Sequence, residues 1–256
     1  MIHDQKRVRA IKISVTVHLI ETAPPPGQPA RMARLARAVF PGIARHVTQR
    51  GNGRARTFFR DENYALYRDL PAEHCAAAGV ALWAWVLMPD HVHLILVPGD
   101  ADAIRRALAP VHRRYAGHVH ARLQRTGHFR QGRFGCVAMD AEHLGAALRY
   151  VALNPVRAQL VEHATEWPWS SVHVHLGRVA ADGVTHAAAV RDRYPDFAAL
   201  LALGEDEAMS MRLRRAESIG RPAGDEALLS RLEAASGRAL RRAAPGPKPK
   251  ICALSP

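Results

Sequence analysis

The chain has 256 residues, 48% of them hydrophobic, which excludes a disordered polymer and allows one full domain with appendages or two small ones. Its 36 Lys and Arg against 23 Asp and Glu leave a net charge of +13, a balance that points to a polyanionic partner, nucleic acid ahead of a membrane surface. Three scattered cysteines without a C-x-x-C pair exclude a disulfide framework and a thiolate zinc site, and no apolar run reaches the ~20 residues of a membrane helix, so a reducing cytoplasm and no membrane partner are expected.

Residues 1–31 read as an N-terminal extension and Pro-rich linker, ending in Pro24-Pro25-Pro26-Gly27-Gln28-Pro29, which suits neither helix nor central strand. Met32 then opens a coherent globular pattern and is an alternative start. Ile43–Arg50 has strand character and stops at Gly51-Asn52-Gly53. Asp61 is placed to cap a helix carrying Tyr64, Tyr67 and Leu70, which Pro71 should kink or interrupt and Gly79 should end. Val80–Met88 and His91–Val97 read as an antiparallel hairpin around Pro89-Asp90. Trp83 and Trp85, two apart, are expected on one face of the first of these strands.

Ile104, Leu108, Val111, Tyr115, Val119 and Leu123 recur at helical spacing. Thr126–Gly132 is a loop and Arg133–Met139 a fourth strand. Ala141–Leu153 is a helix that Asn154-Pro155 should end, because a residue before proline avoids helical geometry. The order implies an α+β fold: a split βαβ, ferredoxin-like antiparallel sheet with helices on one face and the other face free. An open face beside a positive charge excess suits single-stranded nucleic acid. A C-terminal region over 179–256 is looser, with Asp225 capping a helix that carries Leu228, Leu229, Leu232 and Leu240, and a basic, Pro-rich tail through Lys248 and Lys250.

His91-Val92-His93 opens a strand, so both imidazoles leave one face and can converge on one ion. The same tripeptide at His118-Val119-His120 lies on a helix, where the two rings diverge, and a third copy at His173-Val174-His175 shows how cheap the pattern is. By itself the first copy is better accounted for by two partly buried histidines without metal. Tyr150 and Asn154 lie about 40° apart on one helix face, away from the Leu144, Leu148 and Val151 stripe. That leaves Tyr150 as a functional group or a rim residue, and Asn154 as its neighbour or a helix stop. Arg45, Arg50, Arg113, Arg114, Arg130 and Arg133 form a phosphate track if they share a side, and are solvated surface arginines otherwise.

Five collinear segments resemble the REP-associated tyrosine transposases, within the single-tyrosine HUH transposases of the insertion-sequence type. They are Phe40-Pro41-Gly42 with His46-Val47-Thr48-Gln49-Arg50-Gly51-Asn52; Met88-Pro89-Asp90-His91-Val92-His93-Leu94; Gly127-His128-Phe129-Arg130-Gln131-Gly132-Arg133-Phe134; Leu148-Arg149-Tyr150-Val151-Ala152-Leu153-Asn154-Pro155-Val156-Arg157; and Trp167-Pro168-Trp169-Ser170-Ser171. The resemblance implies an HUH endonuclease-type catalytic domain over 32–178 that nicks and rejoins single-stranded DNA near hairpins through a 5′-phosphotyrosine. By position, Tyr150 matches the nucleophile, His91 and His93 the metal-binding histidines, and Asn154 the polar group that completes the metal site. Arg157 joins the arginines expected to meet DNA. A divalent ion, Mg²⁺ or Mn²⁺, is the implied cofactor, and the chain is expected to act as a monomer or homodimer. Two rivals stand beside this reading. One is a rolling-circle initiator or relaxase using the same chemistry; the other is a catalytically silent binding module that uses the open sheet as a platform.

Overall fold

The first strand, β1 (Arg45–Arg50), is short and followed by Gly51, where a Cβ would stand 2.1 Å from the Ala55 carbonyl oxygen, so only glycine lets the chain fold back here. These assignments come from a computed structural model that describes residues 39–241. The expected extension over 1–31, the Met32 start and the tail through Lys250 lie outside the described residues. The helix α1 (Asp61–Ala78) begins one residue after its N-cap, Arg60, so Asp61 sits in the first turn rather than at the cap, where its charge favours the positive helix end. Pro71 does not interrupt α1. It lies buried beside Tyr67 and Leu70, and their packing in the core with Leu108, Val111 and Tyr115 outweighs the one lost backbone bond. Gly79, with φ of 67°, ends the helix as expected.

The hairpin forms as read: β2 (Val80–Met88) pairs with β3 (His91–Pro98) across the two-residue turn Pro89-Asp90. The long helix α2 (Ala103–Leu123) buries Ile104, Leu108, Val111, Tyr115 and Val119, as its periodicity predicts. β4 (Gly135–Ala138) and α3 (Ala141–Arg157) follow. The α3 helix runs through Asn154-Pro155 instead of ending there. Asn154 and Pro155 are both buried, and the core contacts of this last turn override the local preference of a pre-proline residue. Short helices α4 (Val172–His175), α5 (Ala188–Arg193) and α6 (Phe197–Ala202) precede α7 (Glu207–Ile219) and α8 (Glu226–Ser236). Asp225 caps α8, accepting from the Leu228 amide, and Leu240 folds back on Leu228 and Leu232 from beyond the helix end.

The four strands form one antiparallel sheet in the order β2-β3-β1-β4, the α+β split βαβ arrangement expected. One face carries α1 and α2 over Val47, Leu82, Val92 and Leu94. The face expected to be free is covered as well. There α3 packs on Val86, Ile95 and Val137, and Val190, Phe197, Leu213 and Ala216 from 179–241 join the same core. The boundary at residue 178 therefore runs through a shared core, and the described residues belong to one unit. Both sheet edges are occupied. Val86 bridges Ser170 beside β2, and the Ala223 amide donates to the Ala138 carbonyl beside β4.

Trp83 and Trp85 point to opposite faces, against expectation. The register of β2 on β3 shifts between Leu82 and Ala84, a bulge that adds a residue and inverts the alternation. Trp83 enters the α3 side and Trp85 the α1–α2 side, both buried, so neither offers a base-stacking platform. No described helix is long and apolar enough to cross a membrane.

Candidate active site on the α3 face of the sheet

Strand alternation sorts the side chains around the His-Val-His tripeptide. Val92 enters the α1–α2 core, so His91 and His93 face α3. Register then brings β1 partners to the same face, because Thr48 lies opposite His93 and Arg50 opposite His91. His46, two residues before Thr48, leaves that face too. Its Nε2 lies 2.9 Å from Nδ1 of His93, with the rings stacked 5.1 Å apart. The rings of His91 and His93 meet edge-on at 4.7 Å.

From above, α3 delivers Tyr150, whose ring stands 5.2 Å from that of His93 and 5.8 Å from that of His46, edge-on to both. The hydroxyl-bearing helix and the imidazole pair therefore meet. Tyr150 is only 4% exposed, less than a residue off the apolar stripe should be, because α7 packs beside α3 and against β4 on the same face of the sheet. Arg157, two turns later, donates from Nη2 to the Tyr150 hydroxyl at 2.9 Å and lays its guanidinium 4.8 Å from the ring centre. Burial raises the Tyr150 pKa, while Arg157, Arg214 and Asn154 work against it by favouring the phenolate. Glu205 holds Arg157 in turn, its carboxylate 3.5 Å from Nε.

The imidazoles are tuned to be neutral. Burial lowers His46 to about 4 and takes His93 well below the ordinary imidazole value, with the neighbouring histidines adding to the effect. Burial also lowers His91, against the pull of Asp90, whose carboxylate lies 2.5 Å from His91 Nδ1. Asp90 in turn lies 3.6 Å from Arg50.

This hydrogen bonding fits a metal ligand set. Nδ1 of His91 is taken by a carboxylate and Nδ1 of His93 by a second imidazole, which leaves Nε2 of each ring to face an ion as a neutral lone pair. Nε2 of His93 and the side-chain nitrogen of Asn154 are buried without a hydrogen-bond partner among the described residues, as expected where polar atoms await one. A flip of the Asn154 amide would present its oxygen. No group of three His, Cys, Asp or Glu side chains among the described residues could hold an ion, and the Asn154 amide is the candidate for a third ligand beside His91 and His93. Two nitrogens and one oxygen with open positions suit Mn²⁺ or Mg²⁺, Mn²⁺ being the more tolerant of imidazole.

The seven arginines expected to meet DNA do not share a side. Arg50 stands at the edge of the site and Arg157 inside it. Arg113 and Arg133 are exposed near each other beside α2, on the opposite side of the sheet. Arg114 is exposed and paired with Glu73 at 2.8 Å. Arg45 and Arg130 are buried rather than surface groups: Arg45 lies against Cys136 and the Phe40 ring, and Arg130 among aromatic rings. A single track along one face is thus corrected to two separate basic regions. The other His-Val-His copies are structural or dispersed. His173 and His175 bond the Trp167 and Trp83 carbonyls at 2.9 Å each, and His118 is exposed on α2.

Residue-by-residue reading missed His46, Asp90 as a partner of His91, Arg157 as a partner of Tyr150, and the α7 groups. Alternation along Arg45–Arg50 was a signal for His46, and adjacency for Asp90. Nothing local points to Glu217 of α7, which accepts from the Thr48 hydroxyl at the site margin.

No protein-family model and no curated protein matches the chain. Among solved structures it is similar to a REP-associated tyrosine transposase bound to a REP hairpin, at 20% identity and a TM-score of 0.50, over 60% of this chain and 90% of that one. At that identity the likeness is one of fold, and it agrees with the α+β antiparallel arrangement expected from the sequence.

Proposed function

We propose that this chain nicks and rejoins single-stranded DNA near hairpins, as a tyrosine transposase does, with Tyr150 as nucleophile. The observation that carries the reading is the meeting of Tyr150 with the His91–His93 pair on one buried face, with Arg157 on the phenol oxygen. The solved neighbour, bound to a REP hairpin, supports hairpin DNA as the substrate class.

A phenol with an ordinary pKa near 10 is a weak nucleophile at neutral pH. Arg157 answers that need: its guanidinium stabilises negative charge on the oxygen as the proton leaves. In the forward step the Tyr150 oxygen bonds to phosphorus and the bond from phosphorus to the 3′ oxygen breaks. The phenolic proton is lost, the 3′ oxygen gains one, and a 5′-phosphotyrosine remains beside a free 3′-hydroxyl. The reverse step restores the phosphodiester without a nucleotide cofactor, since the covalent link keeps the bond energy. A divalent ion held by His91, His93 and the Asn154 amide oxygen would polarise the scissile phosphate and stabilise the leaving oxygen. His46 and Asp90 keep the two imidazoles in one tautomer and orientation.

The silent-platform alternative loses its main support, because the two strand tryptophans are buried on opposite faces. The test is incubation with a labelled hairpin carrying a single-stranded flank, plus Mn²⁺. The wild type gives a protein–DNA adduct that survives denaturing electrophoresis, whereas Tyr150→Phe binds the DNA and gives none. Binding without an adduct across varied hairpins overturns the nuclease reading. Adducts on flanks without any hairpin favour a relaxase-like nickase.

A further inference from the structure

On the other side of the sheet from Tyr150, a cavity of about 790 Å³ opens between α2 and the 127–134 loop. Arg113 and Arg133 stand at it exposed, and the rings of Phe129 and Phe134 line it. One carboxylate, Asp102, is among its lining groups, and a double hydrogen bond from Arg105 already engages it. The cavity is therefore cationic and aromatic, of the size that takes one small organic ligand.

Arg130 is part of its wall. The guanidinium is buried and all three of its nitrogens lack a hydrogen-bond partner among the described residues. Only ring faces hold it, those of Tyr67 at 5.2 Å and of Tyr115 and Phe129 at 5.5 Å. A buried charge without a counter-ion is costly, and burial accordingly pulls the Arg130 pKa down. Arg130 and Phe129, one of the rings that hold it, both line the cavity, so the unbalanced positive charge of Arg130 acts on it directly. The loop is also tied to the catalytic sheet: Gln131 donates to the Arg50 carbonyl, and Gly51 bridges Arg130.

We infer that this cavity is a second DNA subsite that takes one unpaired nucleotide, with Phe134 against the base and Arg113 and Arg133 on the flanking phosphates. The inference rests on the proposed action on single-stranded DNA and adds where a strand is held away from the cut. A paired base cannot enter a concavity of this kind, whereas an unpaired base can turn out of its strand and stack.

The probe is a fluorescent oligo(dT) hexamer, compared with an abasic hexamer of the same charge, in the absence of metal. We expect oligo(dT) to bind about tenfold more tightly than the abasic strand, in line with one stacked base. Phe134→Leu closes that gap and leaves the salt dependence in place. The Arg113→Ala, Arg133→Ala double variant weakens both probes and lowers the salt slope. Photocrosslinks from a hexamer carrying one 5-iododeoxyuridine fall on the 127–134 segment of the unmodified protein, a readout independent of variant folding. Equal binding of the two hexamers, a gap untouched by Phe134→Leu, or crosslinks confined to other segments overturns the inference. A wild type that forms adducts while showing any of these results loses the subsite and keeps the nuclease. One that forms none but crosslinks through the loop loses the nuclease and keeps the subsite.

Discussion

At the scale of single residues, the proposed site sets a few placed charges against burial. Tyr150 is buried, which by itself moves its pKa the wrong way for a nucleophile, and Arg157 is the largest of the groups pulling back. Arg157→Ala should therefore raise the Tyr150 pKa, shift the pH–rate profile of adduct formation to the alkaline side and slow the reaction at neutral pH by about tenfold or more, tenfold for each pKa unit. Arg157→Lys should recover part of the rate, since it keeps a charge but loses the planar overlap with the ring. Single-turnover adduct formation against pH reads this directly. If Arg157 serves only as a phosphate contact, affinity for DNA falls and the profile stays where it was. That His91 and His93 share a strand face, and Tyr150 and Asn154 a helix side, was legible from local period, whereas the roles proposed for them came only from the family resemblance. His46 was harder to see, since its place beside His93 depends on the pairing of β1 with β3, a contact between residues 47 apart in the chain.

Among the elements, strands and amphipathic helices were read from period alone, and β2 was legible to its last residue. The errors share one cause: tertiary packing overrode a local rule. Pro71 and Pro155 stay inside helices because both are buried against the core, and the bulge at Trp83 inverts a strand face without a glycine or proline to announce it. The element with the clearest pH dependence is α4. His175 bonds the Trp83 carbonyl and stacks on Phe197, and burial lowers its pKa to about 4. Asp182 pulls the other way and Arg191 adds to the lowering. In the folded state this ring is neutral where the unfolded chain, with its ordinary value of 6.5, is already protonated. Stability should then be full above that unfolded value and fall as pH drops from about 6.5 towards about 4, by about 3 kcal/mol for this group. His175→Gln, which retains a donor for the Trp83 carbonyl, should narrow the difference in thermal midpoint between neutral and acidic buffer. A difference as wide as in the wild type would assign the acid lability to other groups.

Across the whole molecule, the charge of +13 is a statement about partners, and the fold decides where that charge can act. The helices over 179–241, read from sequence as an appendage, complete the α3 face and leave no open sheet for DNA to lie on. Their apolar residues are spaced over short helices with weak periodicity, which is why a shared core was not visible in the chain. With both faces covered, DNA has to approach from the rims. Arg50 marks the rim beside the histidines, and Arg113 and Arg133 mark the rim beside the 127–134 loop. Arg114 contributes little, because Glu73 already neutralises it, and Arg45 is out of reach in the core. A single strand touching both rims should therefore make few phosphate contacts for so basic a protein. With about four such contacts, the slope of log affinity against log salt is near −2.8, and binding weakens about 50-fold between roughly 50 and 200 mM salt. Fluorescence anisotropy with a long unstructured strand measures that slope. If most of the net charge meets the strand, the slope is several times steeper, and DNA must then follow a path over the C-terminal helices that the two rims do not describe.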